Sequence, residues 1–177
     1  APHAGHMAAT VVLYEYTGSS AGTTTSSDKF SGASRLRNTD IATETTPGSD
    51  PIMRGGATVY SMERHLRMQA TSGIITSLTN PQFYTAGTAW DTDNVLPYVK
   101  TTTSPTGATP VKPSATTGYT LAHSLLTGAR KSLGTYTVTS TPNPLGDFLI
   151  AMCSVLSTAT APATAGSETW TWAYDEA

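Results

Sequence analysis

Residues 58–70 read T-V-Y-S-M-E-R-H-L-R-M-Q-A, and the fold turns on this stretch. In steps of two, Tyr60, Met62, Leu66, Met68 and Ala70 fall on one side. Ser61, Glu63, His65, Arg67 and Gln69 fall on the other, which is the alternation of a half-buried strand. A helix is the competitor over Tyr60–Gln69, because Met, Glu, Arg and Leu are good helix formers. At about 100° per residue, however, the apolar positions scatter around the wheel, so the strand wins. Arg64 is the exception, a charge on the apolar side. A bulge that re-aims it would account for it, and so would a packed stem whose head meets a carboxylate.

Working outward, Thr10–Tyr16 (TVVLYEY) reads as a first strand, ended by Gly18 and a polar stretch. Residues 31–57 are poorly periodic and punctuated by Pro47, Gly48, Pro51, Gly55 and Gly56, which predicts an irregular segment with room for one short strand. Downstream, Ile74–Leu78 and Gln82–Thr85 form a strand pair or one bent strand around Asn80-Pro81. Val95–Thr102 is a strand. Residues 103–117 carry Pro105, Pro110 and Pro113, which favour a loop or an edge over a central strand. Leu121–Leu133 alone has a helical cast, limited by Gly128 and Gly134. Thr135–Thr139 is a short strand. Phe148–Leu156 is apolar on both faces and belongs in the centre of a sheet. The last strand, Glu168–Tyr174, sets Trp170, Trp172 and Tyr174 against Thr169, Thr171 and Ala173.

About seven to nine short strands with turn signals between them predict an all-β fold. The expected architecture is an antiparallel β-sandwich, jelly-roll-like, with Thr/Ser/Pro-rich loops. Residues 58–177 form the sandwich domain, and residues 1–57 an N-terminal arm with one strand, packed on the sandwich or on a partner. Repeats of about 20–50 residues are absent.

Composition narrows the function. Of 177 residues, 34 are Thr and 18 are Ser, together 52 hydroxyl side chains, while charged residues make up 12%. That share is half the usual level of about 25%. An apolar fraction of 38% and a net charge of -2 exclude a wholly disordered chain. With no basic excess, an electrostatic footprint for nucleic acid is not expected. The longest apolar run, Phe148–Cys153, is far shorter than the roughly 18 residues of a helical membrane span, so no membrane partner is expected. Residues 1–7 (APHAGHM) lack the charged and apolar regions of a signal peptide; they are either native chain or a cloning remnant.

The chemistry-bearing residues give bland readings. Cys153, the single cysteine, sits in the run FLIAMC and reads as a small buried hydrophobe. It has no partner for a disulfide or a zinc motif. No G-x-S-x-G elbow is present. Asp91, Asp93 and Asn94 cluster like hard-cation ligands, but they lack the glycine and distal Glu of an EF-hand loop, and a solvated loop tip explains them more simply. His65, between Glu63 and Arg67, reads as part of a cross-strand charge network. His3 and His6 lie in the N-terminal tail. Asp175-Glu176 read as surface charges, although scattered carboxylates leave glycoside hydrolysis open. No catalytic residue, metal or cofactor is therefore assigned. Trp170, Trp172 and Tyr174 have two serious readings: a row of rings about 7 Å apart that stacks on sugars, or a wall of the core. The core is the preferred one, because Thr169 and Thr171 suit solvent better than the rings do.

Several segments in order carry a resemblance: Ser61–Ala70 (SMERHLRMQA), Ile75–Tyr84 (ITSLTNPQFY), Tyr119, the strand Asp147–Val155, and the ending Glu168–Glu176 (ETWTWAYDE). Over roughly residues 58–177 the chain resembles small β-sandwich structural proteins of tailed-bacteriophage virions, most of all in the aromatic strand that closes in Tyr-Asp-Glu. The resemblance implies a virion component on the outer surface of the capsid: a head decoration (cement) protein, or a neck or fibre subunit. It implies no catalytic residue. Its partners would be the major capsid protein and copies of itself, a trimer for preference. A carbohydrate-binding module using Trp170, Trp172 and Tyr174 is the alternative.

Overall fold

A computed structural model describes residues 9–17, 28–31, 34–40, 50–73, 75–87, 94–103, 110–159 and 168–177. Within them the chain forms β1 (Thr10–Tyr16), β2 (Val59–Tyr60), β3 (Arg64–Ser72), β4 (Leu78–Thr85) and β5 (Val95–Thr102). These are followed by β6 (Thr120–Leu121), β7 (Lys131–Ser132), β8 (Thr137–Val138), β9 (Asn143–Val155) and β10 (Trp170–Glu176). The larger sheet runs β1-β3-β9-β5-β6, with β2 also on β9; the smaller runs β10-β4-β7, with β8 also on β4. Every pairing is antiparallel. This is the all-β, two-sheet architecture that the alternation predicts.

β9 is the central strand of the larger sheet, flanked by β3 and β5. It is buried at every position from Phe148 to Val155, as a strand apolar on both faces must be. Its odd-numbered residues face the smaller sheet. There Leu145, Leu149 and Ala151 join Leu13, Leu66, Met68 and Val99 against Leu78, Phe83, Leu133 and Val138.

The smaller sheet covers only part of that inner face. The remainder is closed by irregular chain: Leu36 and Ile52, beside Val59 of β2, pack on Val95, Cys153 and Val155. The described part of residues 1–57 therefore lies on the sandwich, and β1 is itself an edge of the larger sheet. No strand forms in 34–40 or 50–57.

Residues 58–70 do form strand, but not one unbroken strand. Val59 pairs with Val155 and Tyr60 with Ser154, whereas Arg64 pairs with Ala151. Three residues, 61–63, thus face two on β9, which is a bulge. Ser61 keeps hold of β9, since its N–H donates to Cys153 O and its hydroxyl accepts from Cys153 N, each at 2.9 Å. Met62 and Glu63 instead turn their N–H groups to Arg37 O and Val111 O. The extra residue exchanges the faces. Val59 points inward before it and Arg64, Leu66 and Met68 after it, so Tyr60 lies opposite the side that unbroken alternation predicts.

β4 is one bent strand rather than a pair. It runs through Asn80-Pro81 with Asn80 at φ 53°. Its pairing to β10 slips there, from Ala173↔Gln82 to Asp175↔Thr79, which is where a proline without an N–H is tolerated. Residues 75–77 precede the strand. Leu121–Leu133 holds a single 3-10 turn, Ala122–Ser124, between short edge strands, and its carbonyl at Leu125 caps β4 through Thr85 N at 2.8 Å. A second bulge sits in β9, where Leu66 faces Leu149 but Met68 faces Leu145. Gly146 makes that turn at φ +101°; a Cβ there would lie 3.1 Å from Pro81 Cβ. Among the described residues, no helix is long and apolar enough to cross a membrane.

Candidate functional site

β10 is the edge of the smaller sheet and carries the aromatic row. Trp170, Trp172 and Tyr174 are half-buried and pack on the main core. Phe83 of β4 meets Trp170 and Trp172 edge-on, with centroids 5.4 and 5.1 Å apart at 79° and 64°. Phe30 meets Trp172 edge-on at 6.1 Å. The Trp172 indole nitrogen is buried and has no acceptor among the described residues. A sugar platform needs exposed ring faces, and these rings are committed to the core. Thr169, in the alternate register, is exposed.

Two buried carboxylates organise most of the remaining charge. On the inner face, Val11, Leu13 and Glu15 step inward from β1, and Glu15 is fully buried. Arg64 Nη1 donates to Glu15 Oε1 at 2.9 Å, Lys29 and Arg37 lie at 3.8 and 3.9 Å, and the Ser34 hydroxyl donates at 2.8 Å. Arg64 also donates from Nε to Arg35 O at 2.9 Å. The second explanation for Arg64 therefore holds: the bulge lies before it, at 61–63, and leaves it in the inward step with Leu66 and Met68, where Glu15 receives its head.

The second carboxylate, Glu63, leaves the first bulge toward the outer face. It accepts from Lys100 Nζ at 2.7 Å, from the Tyr119 hydroxyl and from Val111 N at 3.3 Å, and contacts His65 Nε2 at 3.0 Å. Burial pushes its pKa up, but the hydrogen bonds from His65, Lys100 and Tyr119 outweigh burial and bring it down to about 2. The same burial, with Glu63 as acceptor, pushes the Tyr119 hydroxyl upward. The charge network expected around His65 is present, but with Lys100 and Tyr119 as members that local spacing did not reveal. Through these bonds the cluster clamps residues 110–119 to the sheet.

A third pair, His123 Nε2 and Glu168 Oε2 at 2.9 Å, joins the 3-10 turn to the approach to β10. Cys153 is buried and its thiol is pushed up to about 12 by burial, which leaves it inert as the sequence predicts. Asn94 sits at φ 55° and donates to Thr158 O at 3.4 Å. Asp91, Asp93, His3 and His6 lie outside the described residues. Among the described residues, no three His, Cys, Asp or Glu side chains are grouped to hold a metal. Asp175 and Glu176 are exposed, and each accepts one hydrogen bond, from Asn80 Nδ2 and Ala9 N.

Glu15 is the residue that sequence reasoning passed over. Its signal was there: an acid at the third inward step of TVVLYEY is the natural counterpart of the inward Arg64. No protein-family model, no curated protein and no solved structure matches this chain.

Proposed function

We propose that this chain is a structural protein of a tailed-bacteriophage virion, a decoration protein that binds and stabilises the outer surface of the head lattice. The observation that carries the reading is the terminal strand, residues 168–176, whose aromatic alternation closes in Tyr-Asp-Glu at the edge of a two-sheet sandwich. The charge economy is compatible with it. The buried acids described above bind partners inside the protein, while the surface is rich in Thr and Ser, which lose little side-chain entropy on docking. Its partners are then the major capsid protein and further copies of itself, arranged as a trimer.

Electron microscopy of the virus that encodes the chain tests this. The expected result is sandwich-sized density repeated over the outer capsid lattice. Density confined to the neck or a fibre, or absence of the chain from purified virions, overturns the assignment. A glycan-binding role requires Trp172 to offer a free face. The expected result is that Trp172→Ala loses about 2–4 kcal/mol of stability in urea unfolding, as core rings do. A stable variant with lost glycan affinity would favour the alternative.

A further inference from the structure

A groove of about 290 Å³ opens beside Arg67, between the Tyr136 ring and residues 137–144. We propose that it binds a carboxylate-bearing sugar, a hexuronic acid, with Arg67 holding the carboxylate. Its size falls just under the range of ligand pockets, about 300–1,000 Å³, and suits one ring-sized group.

Arg67 is fixed and underused. It stands on the outer face of β3 opposite the Gly146 bulge, its Nε donating to Gly146 O at 2.7 Å and its Nη2 to the Tyr136 hydroxyl at 3.2 Å. Its guanidinium carbon lies 4.8 Å from the Phe148 ring centroid, which stiffens the head further. Those bonds use two of the five N–H donors of a guanidinium. Among the described residues no carboxylate comes within salt-bridge distance of it, in contrast to Arg64 and Arg37 with Glu15. Asp147 is the acid of this region, and it is engaged by the Tyr136 hydroxyl, which donates to Oδ1 at 3.0 Å. A half-buried guanidinium with spare donors and a held orientation, its link to Asp147 made only through the Tyr136 hydroxyl, is a ready fork for a bidentate carboxylate.

The rim supplies the sugar-like part. Thr137, Thr139 and Ser140 are exposed hydroxyls. Asn143, which lines the groove, donates from Nδ2 to Ser140 O and Oγ at 3.0 and 2.8 Å, so its amide oxygen is the atom that would accept from a ring hydroxyl. Pro144, exposed on the rim, gives the apolar contact that the C–H edge of a pyranose needs.

The test follows the Arg67 Nε–H signal of the intact chain by 15N NMR while D-glucuronate is added, with D-glucose and acetate as controls. Glucuronate is expected to shift it saturably, acetate more weakly and glucose not at all. Arg67→Lys keeps the charge but loses the fork; followed through the backbone amide signals of residues 137–140, it should show no saturable glucuronate shift. Thr139→Glu is an exposed change that leaves the Arg67 bonds intact, and its rim charge should weaken binding about tenfold. No saturable shift up to ~10 mM glucuronate overturns the proposal. So does equal response to glucose or to acetate, or unchanged affinity in a folded Thr139→Glu variant.

Discussion

Glu15 and Glu63 are both buried carboxylates attached to the larger sheet, one serving its inner face and the other its outer face. Glu15 faces three cations and a serine, and three of these four, Lys29, Ser34 and Arg37, come from the described residues 28–31 and 34–40. Glu63 gathers one lysine, one tyrosine, a histidine and a backbone N–H, and so fastens a different loop, 110–119. Glu15 is fully enclosed, whereas Lys100 at the second site keeps a third of its side chain in water. The difference teaches how a sandwich with one undersized sheet closes its larger one. Beside the apolar contacts of Phe30, Leu36 and Ile52, buried charge pairs hold the irregular segments to it. Such pairs are costly to break by removing one partner.

That contrast yields measurable consequences. The largest is expected from Glu15→Gln, which removes the charge common to Arg64, Lys29 and Arg37. It should cost about 3–5 kcal/mol in urea unfolding. Limited proteolysis should then cut first within residues 28–40. Glu63→Gln should cost less, about 2 kcal/mol, because water reaches Lys100 and supplies partial replacement. Its first cuts should fall in 110–119.

Acid separates the variants by sign. Glu63 has its pKa lowered to about 2 in the folded chain from an ordinary 4.5. Its contribution to stability is therefore complete above pH 4.5 and is lost as pH falls through 2. Thermal unfolding of the wild type should fall more steeply over this window than that of Glu63→Gln; equal slopes would show that the clamp lies elsewhere. Tyr119→Phe keeps the ring under the Lys100 ammonium, 4.3 Å from its centroid, and loses only the hydroxyl, for about 1 kcal/mol. The smallest effect is the coupling between the two sites. The two carboxylates hold different side chains on opposite faces of the sheet, so the losses in the Glu15→Gln/Glu63→Gln double variant should add within ~0.5 kcal/mol.

Much of the fold was legible in the residues. β1, β5, β9 and β10 stand close to where alternation or a continuous apolar run places them, because a side-chain period of two is imposed by the pleat itself. The inward turn of the aromatic row was legible for the same reason, with Thr169 on the alternate step. The break within 58–70 was not. It depends on Met62 N and Glu63 N finding Arg37 O and Val111 O, acceptors 25 and 48 residues away along the chain, and no local period records them. The helical cast of Leu121–Leu133 misled for a related reason: Leu125 and Leu133 are apolar because they plug the sandwich core, not because they line a helix. Cys153 was readable as buried from its neighbours alone, and Arg64 as an anomaly. The identity of its partner was a tertiary fact.

By itself, then, the sequence determined an all-β chain, the central place of β9, the inward aromatic edge and a surface of hydroxyls with few charges. These follow from side-chain chemistry repeating at the period of a strand. Only the tertiary structure decided which irregular segment covers which face, how the bulges at 61–63 and at Gly146 exchange or re-aim side chains, and that Glu15 is the carboxylate Arg64 meets. Those outcomes rest on contacts between residues dozens of positions apart, where a single added residue in one strand changes which face every later side chain meets.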